Sequence, residues 1–134
     1  MGFANRVVIG VLRSPLHRLL SGSTAVLRWT GRRSGRSFTT PVQYAPVGDG
    51  LVILVGRPER KTWWRNFRQE RDLEVLCRGE WRAMTGLVVT GAAHPERLGP
   101  LLQAYVARFP RAARGLDESG PDGTVVVRCQ PRAR

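Results

Sequence analysis

A short basic loop holds the residues whose types and spacing are best suited to chemistry. Residues 27–45 read LRWTGRRSGRSFTTPVQYA, which contains four arginines and no acidic residue. Gly31 and Gly35 permit tight backbone turns, and Ser34 and its neighbouring amides can donate hydrogen bonds. Guanidinium groups bind a phosphate or a carboxylate bidentately where the geometry allows. The loop therefore predicts a site for an anionic ligand, and the alternative is a solvated turn in an arginine-rich chain.

The charge of the whole chain points in the same direction. The formal net charge is +12, and Lys61 is the only lysine among 22 basic residues. Such a charge implies an anionic partner, which could be nucleic acid, an acidic lipid surface or a polyanionic small molecule. The arginines of residues 27–45 lie in a tight loop, not in a stripe with interleaved aromatic residues, so we predict no nucleic-acid partner.

Acid–base and nucleophilic catalysis have no visible candidates in the sequence. There is no G-x-S-x-G elbow, no HExxH motif, no Walker loop and no GxGxxG fingerprint. Cys77 and Cys129 lie in strand-like runs without CxxC spacing, which argues against a metal site. We predict that both are buried free thiols in a reducing cytosol. We therefore predict neither a catalytic side chain nor a bound metal.

Strands on both sides must position the basic loop. TAVLRWT precedes the loop and SFTTPVQYA follows it, and Pro41 predicts that the second strand is an edge strand or carries a bulge. Further strands are predicted for four segments, namely LVILVG, the hairpin LEVLCRGEW, its continuation WRAMTGLVVTGAA and the closing TVVVRC. A short helix or turn is predicted for RPERKTWWRNFRQER. A long amphipathic helix is predicted for HPERLGPLLQAYVARFP, and polar turns are expected after it. This order predicts one α+β domain over residues 1–134, with a mainly antiparallel sheet that closes or nearly closes into a small barrel.

The N-terminal residues 1–21 predict a basic amphipathic helix. Its apolar positions could pack on the domain, or the helix could lie on an anionic membrane surface. No secretory signal and no apolar run of about 20 residues is evident, so we expect a cytoplasmic protein. Peripheral contact with the inner face of the membrane remains open at this stage.

The order TGRRSGR, TTPV, an apolar strand and TWWRNF resembles the deazaflavin-dependent nitroreductase family, an actinobacterial family that includes F-420-dependent quinone and nitroimidazole reductases. The resemblance runs from about residue 15 to residue 130 and includes the long helix. It implies an FMN-binding-like split β-barrel of six or seven mainly antiparallel strands with an N-terminal helix, a short helix and one long helix. The oligomeric state is left open.

The resemblance also implies a cofactor and the residues that hold it. Coenzyme F-420, with FMN as the less favoured choice, would lie in a groove, and Arg32, Arg33 and Ser34 would grip its phosphate and glutamate tail. The other implied binding residues are those of the proline-bearing strand, the next strand end and the short helix, namely Thr39, Thr40, Pro41, Val42, Val55, Gly56, Arg57, Trp63 and Asn66. Where relatives have an arginine after the loop, this chain has Phe38.

The implied activity is hydride transfer from reduced F-420 to an electron-poor acceptor such as a quinone or a nitroaromatic. The cofactor performs the chemistry, and the protein supplies orientation and electrostatics. The alternative is a non-catalytic split-barrel carrier of a fatty acid or another hydrophobic ligand, and a third interpretation is flavin or haem-degrading chemistry on the same barrel. Ala112, Ala113 and Gly115 replace tyrosines that line the acceptor side in a relative, which implies a different and bulkier acceptor.

Overall fold

The computed structural model describes residues 23–31, 33–119 and 123–132. The helix predicted over residues 1–21 and the predicted site residue Arg32 lie outside the described residues.

Seven antiparallel strands form one sheet. They are β1 (Thr24–Thr30), β2 (Ser37–Gln43), β3 (Ala45–Val47), β4 (Gly50–Leu54), β5 (Arg71–Cys77), β6 (Glu80–Thr90) and β7 (Val125–Pro131), in the spatial order β2-β1-β5-β6-β7-β4-β3. β2 also approaches β4, although the two strands do not pair. The sheet therefore curls into a barrel that is split between β2 and β4, and the predicted α+β split-barrel class is confirmed.

Local turn chemistry explains the hairpins of this sheet. Arg78 and Gly79, between β5 and β6, both have positive φ, at 53° and 82°. Two such residues in succession match the twist of the flanking strands in a two-residue hairpin. Gly48 (φ 58°) serves the same purpose between β3 and β4. The hairpin at Gly79 and the turn in VGDG are therefore where the sequence predicts them.

The two edge strands each contain a proline. Pro41 lies in β2 opposite Val26 of β1, and Pro46 lies in β3 opposite Leu51 of β4. Proline has no N–H to donate to a sheet, so edge strands are where it is tolerated. The prediction that the strand with Pro41 lies at an edge is confirmed.

The helices differ in part from the sequence-based expectation. The segment before β5 forms two 3-10 turns, Pro58–Arg60 and Trp63–Phe67. The long helix α1 (Pro95–Arg108) is present, with Pro100 inside its second turn. The polar turns expected after it are wrong, because a second helix α2 covers Ala112–Ser119. Alanine, a strong helix former, occupies positions 112 and 113 and favours a helix over the expected turns.

Two apolar layers hold the sheet. The barrel interior includes Leu27, Ile53 and Met84, together with Phe67 from the second 3-10 turn. On the other face, α1 packs its predicted apolar stripe, Leu98, Leu101 and Tyr105, onto residues of β3, β4, β6 and β7. Within the described part of the chain, no helix is both long enough and apolar enough to cross a membrane.

Candidate functional site

A cleft opens at the split of the barrel. Its larger cavity, of about 680 Å³, is bounded by the end of β1, the basic loop, β2 and residues 58–67. These residues contain the two 3-10 turns, and we call them the 3-10 segment. A second cavity of about 540 Å³ lies between β2, the end of β4 and α1. The two share Thr40, Lys61 and Trp63, so they lie side by side, and together we call them the groove.

The basic loop is a compact turn held by its own hydrogen bonds. The Gly31 N–H donates to the Arg36 carbonyl (2.8 Å), and the Gly35 N–H donates to the Gly31 carbonyl (3.2 Å). Gly35 has φ 67°, which glycine adopts at little cost. The Ser34 hydroxyl oxygen accepts from the Arg36 N–H (3.2 Å), so its hydrogen is left to donate towards the cleft. Arg33 is exposed and lines the larger cavity.

The 3-10 segment is anchored beneath the cleft. The indole N–H of buried Trp64 donates to the Pro58 carbonyl (2.9 Å) and fixes the loop before it. The Asn66 amide donates to the Trp63 carbonyl (2.9 Å), and its oxygen accepts from Arg71 (3.5 Å). The Arg71 guanidinium also donates to the Thr30 carbonyl at the end of β1. These bonds hold Trp63 and Asn66 against the cleft.

Three aromatic rings form one side of the larger cavity, and we call Trp29, Phe38 and Trp63 the aromatic wall. Phe38 stacks on Trp29 with centroids 6.0 Å apart and planes at 24°, and Trp63 lies 6.2 Å from Trp29. Phe67 packs edge-on behind Trp29 at 5.8 Å. Phe38 is the only large hydrophobic residue exposed in the described part of the chain. The wall therefore offers aromatic faces to a planar ring.

Among the described residues, the charge lining the groove is positive. Arg33, Arg60 and Lys61 line the larger cavity, and no acidic side chain of the described residues lines either cavity. Lys61 reaches over Gly56, where its Nζ lies 3.7 Å from the position a β-carbon would take. Burial raises the pKa of Tyr105, which lines the second cavity, so its phenol stays neutral and keeps its proton at neutral pH.

The structure brings together most of the predicted site residues. Those that line the groove are Arg33, Ser34, Thr39, Thr40, Pro41, Val42, Val55, Gly56, Trp63 and Asn66. Arg57 lines neither cavity; it is exposed, has a left-handed φ of 51° and precedes the Pro58–Arg60 turn. Its predicted role stays a prediction, as does that of Arg32.

Several lining residues were not predicted. Trp29, Arg60, Lys61 and Tyr105 all line the groove. The one available signal was that Lys61 is the only lysine in an arginine-rich chain. Trp29 and Tyr105 read as core residues of a strand and a helix, because nothing local shows which core positions border a cleft.

The chain is similar to a known protein family and to several solved structures. A family model described as "F420H(2)-dependent quinone reductase" matches residues 12–128. No curated protein matches the chain. A solved "F420-H2 Dependent Reductase (FDR-A)" is similar with a TM-score of 0.65 and 15% identity, over 79% of this chain and 93% of that one.

Two further solved structures share the fold. The haem storage protein HutZ of Vibrio cholerae has a TM-score of 0.57 and 15% identity, over 91% of this chain and 92% of that one. A protein of unknown function from Agrobacterium tumefaciens has a TM-score of 0.54 and 20% identity over 83% of this chain, which spans only 49% of that protein. At these identities the structures show a shared fold.

Proposed function

The chain belongs to the F420H(2)-dependent quinone reductase family, and from this premise we propose that it reduces a quinone with F-420 bound in the groove of the split barrel. The family makes the protein an oxidoreductase and F-420 its coenzyme. The identity of the acceptor and the roles of individual residues are the proposed part.

The observation that carries the proposal is the groove itself, where the described part of the chain supplies three cations and no acid beside an aromatic wall. F-420 has a phosphate, a glutamate tail and a planar deazaflavin. Arg33, Arg60 and Lys61 suit the anionic groups, and the aromatic wall suits the ring. The residues present therefore fit the coenzyme.

Each part of the groove has a task in this proposal. Arg33 and the Ser34 hydroxyl bind anionic oxygens, and Arg32 and Arg57 assist them. The residues of β2 and of the end of β4 that line the groove would hold the ring, namely Thr39, Thr40, Pro41, Val42, Val55 and Gly56. Trp63, held by the Asn66 hydrogen bonds, walls the groove and excludes water. The protein thus acts by orientation and by exclusion of solvent.

When bound in its reduced form, F-420 supplies the hydride. Reduction of a quinone places negative charge on a carbonyl oxygen of the acceptor. Lys61 lies where the two cavities meet, so its ammonium group can stabilise this charge as it develops. A nitroaromatic acceptor develops charge on its nitro oxygens and could use the same group.

The experiment combines binding with turnover. The purified protein is titrated with oxidised F-420 while its tryptophan fluorescence is followed, and reduced F-420 is then mixed with menadione and protein. We expect saturable quenching, because Trp63 lines the groove, and menadione-dependent oxidation of the coenzyme. If F-420 causes no quenching while a long-chain fatty acid quenches saturably, the protein is a carrier and the reductase proposal is wrong.

The N-terminal residues 1–21 lead to a separate proposal. Their basic amphipathic pattern would bring the protein to the anionic inner face of the membrane, where lipid-soluble quinones are found. Co-sedimentation with anionic vesicles at low salt tests it. Protein that stays in the supernatant, in the presence and absence of these vesicles alike, would contradict membrane contact.

A further inference from the structure

We propose that the indole N–H of Trp29 donates a hydrogen bond to the ligand of the cleft, and that Phe38 covers this donor until the ligand binds. The inference rests on the proposed function, because the ligand is either the coenzyme or its acceptor. The chemistry that would be recognised is a planar ring bearing a carbonyl oxygen, which a deazaflavin and a quinone share.

Trp29 has a donor without an acceptor. The residue is only 6% exposed and lines the larger cavity. Its Nε1 is buried, and among the described residues it is the only buried side-chain nitrogen or oxygen without a hydrogen-bond partner. Buried polar groups nearly always have a partner, and an exception calls for an explanation. A carbonyl oxygen of the ligand would be the missing acceptor.

The neighbouring tryptophan shows that such donors are otherwise satisfied in this segment of the molecule. Trp64 is buried in the 3-10 turn, and its Nε1–H donates to the Pro58 carbonyl at 2.9 Å. Among the described residues, the unpaired buried donor is therefore that of Trp29, one of the two indoles that border the cleft.

Phe38 is the most exposed of the three aromatic side chains that pack on this indole. The Phe38 and Trp29 rings are stacked at 6.0 Å, and Phe38 is 41% exposed while Trp29 is nearly buried. Phe67 packs edge-on on Trp29 and is fully buried, and Trp63 belongs to the anchored 3-10 turn. Phe38, on an edge strand, is therefore the neighbour expected to move when a ligand atom reaches Nε1.

The absence of a side chain at Gly31 leaves space for the Phe38 ring. A β-carbon at position 31 would lie 2.6 Å from Cε2 of Phe38 and 3.0 Å from the Ser34 hydroxyl. Only glycine leaves the space in which the Phe38 ring lies over Trp29. Phe38 and the basic loop thus meet at Gly31. Displacement of Phe38 would open the cleft next to Arg33 and Ser34.

The test observes the indole N–H directly. The four tryptophans give four indole signals in a 15N–1H correlation spectrum, and Trp29→Phe identifies the signal of Trp29 by its loss. The wild-type protein is titrated with oxidised F-420 and, in a separate arm, with menadione. We expect the Trp29 signal to move downfield in one of the two titrations. That titration identifies whether F-420 or menadione supplies the carbonyl oxygen.

Binding and turnover of the variants give the second readout. Trp29→Phe keeps an aromatic ring and removes the donor, so we expect the Kd of F-420 or the KM of menadione to rise about fivefold to tenfold. Trp81→Phe is the matched control, because Trp81 packs on the Arg28 guanidinium and lines neither cavity; it should leave both values unchanged. Phe38→Ala should speed hydrogen exchange of the Trp29 indole N–H.

The outcomes separate this inference from the proposed function. If F-420 and menadione both bind the wild-type protein and the Trp29 signal does not move, the inference is wrong and the reductase proposal stands. If the wild-type protein binds no F-420, the proposed function fails and the inference fails with it. If Trp29→Phe does not fold, phenylalanine substitutions of the other three tryptophans assign their signals, and the wild-type titration follows the signal that remains, which is that of Trp29.

Discussion

At the scale of single residues, the most direct question is whether Arg33 binds the coenzyme. Arg33 and Arg36 are both exposed arginines of the same loop, but only Arg33 lines the cleft. We expect Arg33→Ala to weaken F-420 binding by about 1 kcal/mol, roughly fivefold, since water competes for an exposed guanidinium. Arg36→Ala is the matched control, and fluorescence titration measures both. Equal losses in the two variants would mean that the loop acts only through its total charge.

Lys61 is expected to act on the reaction more than on binding. Lys61→Gln removes the cation where the two cavities meet, so we expect kcat for menadione reduction to fall about tenfold, with a smaller change in KM. Lys61→Arg should restore part of the rate because it restores the charge. A rise in KM with an unchanged kcat would instead assign Lys61 to binding alone.

Three buried groups make stability depend on pH in the alkaline range. Burial raises the pKa of the Cys129 thiol from 9.0 to about 12, and burial, aided by a hydrogen bond from Cys77, raises that of Tyr44 from 10.0 to about 12. Burial also raises the pKa of Tyr105. The folded protein keeps these protons where the unfolded chain releases them, so the stability they contribute is complete below pH 9 and is lost towards pH 12.

Urea unfolding across this pH range measures the effect. Cys129→Ala should flatten the decline in the free energy of unfolding, because it removes the group with the lowest unfolded-state pKa. Arg36→Ala serves as the control, because it leaves all three groups in place. A decline of the same steepness in Cys129→Ala would show that Cys129 does not contribute.

At the scale of elements, two glycines are expected to respond in opposite ways to alanine. In β4, a β-carbon at Gly50 would lie 2.1 Å from the Cys129 carbonyl oxygen, so β4 would have to move away from β7. We expect Gly50→Ala to cost at least about 2 kcal/mol of stability. In α1, Gly99 is exposed with nothing within 4 Å, so Gly99→Ala should add about 0.5–1 kcal/mol. Chemical unfolding distinguishes the two, and similar shifts in both would contradict the packing at Gly50.

The elements also show how far local sequence patterns reach. Alternation and turn residues predict β1, the β5–β6 hairpin and α1, because those signals lie within the element itself. The sequence reads SFTTPVQYA as one strand, whereas β2 ends at Gln43 and Ala45 already pairs with β4. The Tyr44 N–H still donates to the Ser23 carbonyl in the register of β1, so the change of partner strand follows Tyr44 directly and no local pattern marks it. Helix α2 was read as polar turns, because polar residues between a helix and a strand are typical of a connection.

The site was predictable only where a family motif covers it. The resemblance supplied predicted site residues in the loop, the proline-bearing strand, the next strand end and the Trp63–Asn66 segment, and all of those that the structure describes line the groove, except Arg57. Trp29, Lys61 and Tyr105 could not be assigned, because they meet only when β1, the 3-10 segment and α1 converge on one cleft. That convergence depends on strand order, which no local pattern encodes.

At the scale of the whole molecule, the net charge of +12 should give salt two opposite effects. Repulsion among the basic residues destabilises the folded state, and the two ion pairs found in the described part of the chain, Arg28–Glu74 and Arg132–Asp72, offset little of it. We expect the Tm to rise by a few degrees from about 0.02 M to about 0.5 M NaCl, where screening is nearly complete.

F-420 binding should weaken several-fold over the same range, because the same screening reduces attraction to the cationic groove. Potassium glutamate and sodium sulfate serve as companion salts that separate screening from specific anion effects. A Tm and an affinity that change in the same direction with salt would contradict this account of the charge.

The prolines of the two edge strands have a consequence for how the protein behaves in concentrated solution. Among the described residues, β2 and β3 are each paired on one side only, and such edges invite strands of other chains to add to them and extend into fibrils. Pro41 in β2 and Pro46 in β3 each remove an N–H from such an edge and interrupt the ladder that an incoming strand would need. The split that admits a ligand is thereby kept from serving as a template for polymerisation.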